Sequence, residues 1–144
     1  MSDLKETITD ELKKAMKAED KLRVSTLRMV LSEMIVVEKS GKEVDYVEAI
    51  KAYGKKLKRS IDEYRKLGLN DKISNLENEL AIVNEFIPKQ MDDEQLIKIV
   101  NSIIEANNFT AKEMGKVMKL VMSAHGDVVD GKRAQEIAKE KFAQ

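Results

Sequence analysis

The sequence contains no cysteine, no tryptophan, one histidine (His125), one proline (Pro88) and only six glycines in 144 residues. Each scarcity removes a class of chemistry. Without cysteine there is no disulfide framework, no thiolate zinc or iron–sulfur site and no cysteine nucleophile, and one histidine cannot build a histidine-rich metal centre. No metal and no cofactor are expected. Neither sign of charge dominates: 26 Lys and Arg stand against 26 Asp and Glu, which argues against the global positive field of a protein that holds nucleic acid unaided. No apolar run approaches the ~20 residues needed to span a bilayer, and the opening MSDLKETITDELKK alternates charge where a secretory leader would be apolar. A cytoplasmic protein without membrane contact is the expectation.

What is abundant is helix-forming: Leu, Ile, Val, Met, Ala, Lys and Glu dominate, and aromatics are 4% of positions. Apolar residues recur at helical spacing. Leu4, Ile8, Leu12 and Met16 step by four, while Val47, Ile50, Gly54, Leu57, Ile61 and Tyr64, and likewise Leu76, Leu80, Val83 and Ile87, alternate steps of three and four. Four pairs have capping-box spacing: Asp3 with Glu6, Asp45 with Glu48, Asp92 with Gln95, and Thr110 with Glu113. Gly41, Gly68 and Gly126 stand where left-handed caps or turns are needed, and Pro88 disfavours helix at Ile87. The pattern predicts an all-α protein of seven helices, near 3–18, 20–39, 45–67, 71–86, 92–106, 110–124 and 130–142.

Pro88 lies in IPKQMDDE, between a periodic helix and a capping box. That position predicts an N-terminal helical domain of about four helices at 1–91 and a small three-helix domain at 92–144. Residues 1–91 hold 18 basic and 17 acidic residues and 92–144 hold 8 and 9, so neither part is a basic tail.

Several stretches invite a functional reading. Lys51, Lys55 and Arg59 share a helix face that could meet phosphates, although a solvated face is the plainer reading. Lys13, Lys14, Lys17 and Lys21 suit a helix C-terminus. Met114, Met118 and Met122, with Val117 and Val121, form an apolar face expected to be core rather than a partner groove. His125 has no second histidine, cysteine or paired serine nucleophile, and Glu77 and Glu79 read as polar-face residues, so no catalytic residue is assigned. GDVVDGKR has the glycine spacing of a phosphate loop without the preceding strand. It reads instead as a helix start, with Asp130 as N-cap and Gly131, Lys132 and Arg133 in the first turn. Cations there oppose the helix dipole unless an anion is bound nearby.

Three segments together carry a family resemblance: AMKAEDKLRVSTLRMVLSE, SIDEYRKLGLNDKISNLENELAIVNEFIPKQMDDEQL and FTAKEMGKVMKLVMSAHGDVVDGKRAQEIAKEKF. Their combination of DK-x-R-x-x-x-LR, E-x-x-x-x-x-x-x-IP, and MGKVMK followed by DGK resembles the YqeY (GatB/YqeY) family along nearly the whole chain. The resemblance implies an all-helical protein similar to the tail of the B subunit of glutamine-dependent aminoacyl-tRNA amidotransferases, where the tail helps hold tRNA. It places Gly115, Lys116, Met118, Lys119, Asp130, Gly131 and Lys132 on the shared motif. RNA contact would then fall to Lys116, Lys119, Lys132 and Arg133, with Gly115, Met118, Asp130 and Gly131 as structural positions. Leu69 departs from the family, in which an Arg tends to follow Gly68. The implied partners are tRNA or a tRNA-dependent amidotransferase or translation complex. The family-level activity is that of a carbon–nitrogen ligase with glutamine as amide donor, and a chain without cysteine is not expected to perform it alone. A second reading remains open: a helical protein–protein adaptor without RNA binding, which the zero net charge suits.

Overall fold

Apolar side chains at three- and four-residue spacing decide which face of each helix is buried, and short caps decide where each helix stops. The computed structural model describes residues 2–41 and 43–144, with side chains from Leu4 onward. Among the described residues there are seven α-helices, one short 3₁₀ turn and no strand. The helices are α1 (Ser2–Lys17), α2 (Lys21–Lys39), α3 (Tyr46–Lys66), α4 (Asn70–Asn84), α5 (Asp93–Asn107), α6 (Met114–His125) and α7 (Gly131–Ala143). The all-α architecture inferred from composition and spacing is what the chain adopts.

The helix starts follow the predicted chemistry with two refinements. Asp92 accepts from the Gln95 amide at 2.8 Å while the Gln95 side chain accepts from the Asp92 amide at 3.2 Å, a complete capping box. Asp45 accepts from the Glu48 amide at 3.0 Å. Asp20 caps α2 through the Arg23 amide, a start that no capping-box spacing marks in the sequence. At Thr110 the Glu113 carboxylate accepts from the Thr110 amide at 3.0 Å, but the turn it closes is the 3₁₀ segment Ala111–Glu113, and α6 itself begins at Met114. The Asp3 pairing lies outside the described residues. Gly41 (φ +76°) and Gly68 (φ +75°) take the left-handed conformation expected of them. Gly126 does not: it is right-handed helical, and its lack of a side chain serves close approach instead, since a Cβ there would stand 2.6 Å from the Met122 carbonyl oxygen.

The chain divides into two compact units, Met1–Ile87 and Pro88–Gln144. This division falls four residues before the boundary expected after Met91, and hydrogen bonds explain the difference. The Met91 amide donates to the Val128 carbonyl at 2.8 Å, and the Gln90 side chain donates to the Asp127 carbonyl at 2.9 Å, so the residues after the proline are held by the second unit.

In the first unit α2 packs against α1, α3 and α4, and α3 packs against α4. The core comprises Ile8, Leu27, Val30, Met34, Ile50, Tyr53, Leu57 and Val83. Gly54 sits in mid-helix where α4 comes close, and a Cβ there would meet Ile87, Leu80 and Val83 at 3.6 to 3.8 Å. Arg23 ties three helices together: its Nη1 donates to one Glu85 oxygen at 2.7 Å, while its Nη2 donates to the other at 3.1 Å and to Glu11 at 3.2 Å. The arginine of the DK-x-R motif is thus a strut linking α2 with α1 and the C-cap of α4.

The second unit is a three-helix arrangement of α5, α6 and α7 around Leu96, Val100, Ile104, Val117, Val121, Val129 and Ile137. Met114, Met118 and Met122 pack against this core, as their spacing predicted.

Candidate nucleic-acid interface

The predicted RNA-contacting residues occupy α6 and the first turn of α7. On α6 the buried residues are Val117 and Val121, and the 100° step of a helix places Lys116 and Lys119 on the opposite, exposed side. Lys132 follows Gly131 at the start of α7 and is exposed. Among the described residues none of these three lysines forms an ion pair, in contrast to Lys5, Lys14, Lys56 and Lys141. Neither α6 nor α7 carries an acidic residue in its first turn, whereas α5 carries Asp93 and Glu94. Helix starts favour negative charge through their free amides, and here that charge comes only from the residues just before them, Glu113 ahead of α6 and Asp130 ahead of α7.

Asp130 caps α7 as expected, its carboxylate accepting from the Lys132 amide at 3.0 Å. Gly131 lies against Met122, whose methyl carbon would be 3.7 Å from an added Cβ. Gly115 differs. It is in the first turn of α6, exposed, and a Cβ there would meet nothing within 4 Å. Packing gives no reason for a glycine at that position.

Arg133 stands apart from the lysines. Its Nε donates to Asp93 Oδ1 at 3.1 Å and its Nη2 to Asp93 Oδ2 at 2.9 Å, while Nη1 donates to Glu136 at 3.0 Å and lies 4.0 Å from Glu140. The hydrogen bonds it donates to Asp93 and Glu136 strengthen its hold on its proton, and the Asp93 carboxyl is held below its usual range by the same pairing. The guanidinium is therefore occupied within the chain. Its partner Asp93 lies 40 residues away and carried no functional signal in sequence beyond its place at a helix start. Only the Glu136 pairing, three residues along the same helix, has a spacing that sequence could suggest.

The Lys51–Lys55–Arg59 stripe is not continuous. Lys51 is buried, and Lys56 beside it pairs with Glu33 at 3.8 Å, leaving Lys55 and Arg59 exposed. Glu77 is exposed and faces Arg65 at 3.7 Å, but Glu79 is half-buried and burial pushes its carboxyl upward, so it does not belong to a fully solvated face. A cleft of about 380 Å³ between α3 and α4 has a mixed lining that includes Lys58, Asp62, Arg65 and Glu77. Among the described residues no group of histidine, aspartate and glutamate is arranged to hold a metal ion, and no helix is long and apolar enough to cross a membrane.

The family model described as Yqey-like protein matches residues 5–142. The chain belongs to the YqeY family. The match takes in both compact units, from Lys5 in α1 to Phe142 in α7, so the YqeY assignment covers the Arg23 strut as well as the lysines of α6 and α7. No curated protein matches the sequence.

Proposed function

We propose that this YqeY protein is an accessory tRNA-recognition protein that engages the phosphate backbone through Lys116, Lys119 and Lys132. The observation that carries this reading is the set of three exposed lysines, on α6 and the first turn of α7, without ion-pair partners among the described residues. Phosphates suit such a surface because they supply charge to the lysines and acceptors to free helix-start amides. Arg133 has a different part in this proposal. It braces α7 against the start of α5 and so holds Lys132 in place, rather than touching RNA itself.

The likeness of the α6–α7 motif to the tail of the amidotransferase B subunit makes an aminoacyl-tRNA-handling complex the natural setting. Amide transfer belongs to a separate enzyme in this proposal, because the sequence offers no cysteine, no paired nucleophile and base, and no phosphate loop for activating a carboxyl with ATP.

The test is filter binding of bulk tRNA to the full chain over a salt series. Retention should weaken steeply with salt, and replacing all three lysines by alanine should flatten the log–log slope by about 0.9 for each phosphate no longer neutralised. Absence of retention at low salt, or an unchanged slope in the triple variant, would reject the proposal.

A further inference from the structure

Helix α2 contains two acidic residues, Glu33 and Glu38, and the fold takes both out of play. Glu33 pairs with Lys56 of α3 at 3.8 Å, and Glu38 accepts from Lys5 of α1 at 2.7 Å and from the Tyr46 hydroxyl. The solvent side of the helix is left with one sign of charge. Its cations are Lys21, Arg28 and Lys39, all exposed, and among the described residues none has a carboxylate partner. The same side exposes Met29 (47%), Ile35 (40%) and Val36 (63%). At about 100° per residue these six positions fall within an arc of about 120°, and they run about 27 Å along the helix.

Single exposed apolar side chains are ordinary. Three on one face, interspersed with unneutralised cations and no acid, form a surface with a definite complement. Two serines, Ser25 and Ser32, lie seven residues apart within the same arc. The Ser25 hydroxyl already donates to the Leu22 carbonyl at 3.1 Å and asks nothing of a partner. Around the helix the two serines lie between Met29 and Val36 on one side and Lys21, Arg28 and Lys39 on the other, with Ile35 beyond the cations.

We propose that the outer face of α2 is a docking surface for an acidic amphipathic helix of a partner protein. Apolar residues at three- and four-residue spacing on that helix would pack over the two serines against Met29 and Val36, and neighbouring Asp or Glu would meet Lys21, Arg28 and Lys39. Charge chooses this occupant over a second copy of the chain, which would bring the cations of both faces into one interface with no acid among them. The face has no aromatic anchor of the kind that holds a helix at a lipid surface. Its exposed Met29, Ile35 and Val36 would lie idle against a phosphate backbone. This surface is separate from the lysines assigned to RNA and stands or falls independently of them.

The experiment uses the full chain and two fluorescein-labelled synthetic peptides with the same leucine spacing, one with glutamate and one with lysine at all other positions. Fluorescence anisotropy should show the glutamate peptide binding at least tenfold more tightly. Met29→Ser with Val36→Ser should weaken it at least fivefold at unchanged helicity by circular dichroism, and Arg28→Glu should reduce the preference for the acidic peptide. Lys55→Glu with Arg59→Glu should change nothing. Equal affinity for both peptides, or indifference to the α2 substitutions, would overturn the proposal. So would a dimer in sedimentation that Val36→Ser dissolves, or binding to phosphatidylglycerol vesicles or to tRNA that the α2 substitutions abolish.

Discussion

Arg133 and Asp93 face each other with two parallel hydrogen bonds, 3.1 and 2.9 Å long, that join the first turn of α7 to the first turn of α5. The geometry is a fork on a carboxylate, which a lysine ammonium cannot reproduce. Arg133→Ala should therefore lower the thermal midpoint of the chain, and Arg133→Lys should restore only part of the loss. Lys132→Ala, one residue away and without an ion-pair partner among the described residues, should leave the midpoint unchanged. Thermal melts followed by circular dichroism give the ranking, and equal melts for Arg133→Ala and Lys132→Ala would show that the pair does not brace the unit.

Two carboxylates should respond to pH in opposite senses. Lys5 first, then the Tyr46 hydroxyl, holds the Glu38 carboxyl below its usual range. A group depressed in the folded state adds stability above its unfolded pKa and loses it as pH falls through the folded value. Lys5→Ala should accordingly cost more stability at about pH 7 than at about pH 3. Burial raises Glu79, so its charged form opposes folding once pH climbs past the ordinary carboxylate range. Glu79→Gln should stabilise at about pH 7 and be neutral at about pH 3. Urea titrations at the two pH values separate these effects.

Thr26 lies in the first unit's core at 1% exposure, and among the described residues its hydroxyl has no hydrogen-bond partner. An unpaired buried hydroxyl carries a desolvation penalty, and valine has nearly the same shape without it. Thr26→Val should raise unfolding stability by about 1 kcal/mol. A decrease in urea titration would mean that the hydroxyl is satisfied in solution, for example by a buried water.

Local rules made most of the helix ends legible. Asp45, Asp92 and Asp130 cap because a short carboxylate reaches amides two or three residues ahead, an interaction contained within the sequence window itself. Pro88 likewise stops α4 early for a local reason. Where sequence and structure differ, the causes are tertiary. Lys51 shares a helix face with Lys55 in sequence, yet packing buries one and exposes the other. Arg133 looks available in sequence because Asp93 is 40 residues away. The outer face of α2 is basic because Glu33 and Glu38 lie on its flanks, where Lys5, Tyr46 and Lys56 of other helices pair with them. Spacing arguments find which residues share a face and are silent about which neighbours neutralise them.

Gly115 and Gly126 begin and end α6, and replacing each by alanine should have opposite results. At Gly126 a Cβ would press to 2.6 Å from the Met122 carbonyl oxygen, closer than real Cβ atoms come, so the backbone must shift and Gly126→Ala should destabilise by about 1–3 kcal/mol. At Gly115 the backbone is helical and the surrounding space is open. Alanine there limits the unfolded chain without steric cost, and Gly115→Ala should stabilise by about 0.5 kcal/mol. That gain sharpens the question of why a glycine stands at this helix start beside Lys116. If RNA backbone comes close to the α6 amides, the added methyl should weaken tRNA retention several-fold even as the melt moves upward. Stability and binding changing in opposite directions would be the signature of a glycine kept for ligand approach. A Gly115→Ala variant that is more stable and binds tRNA unchanged would confine the interface to the lysine side chains and remove the helix-start amides from it.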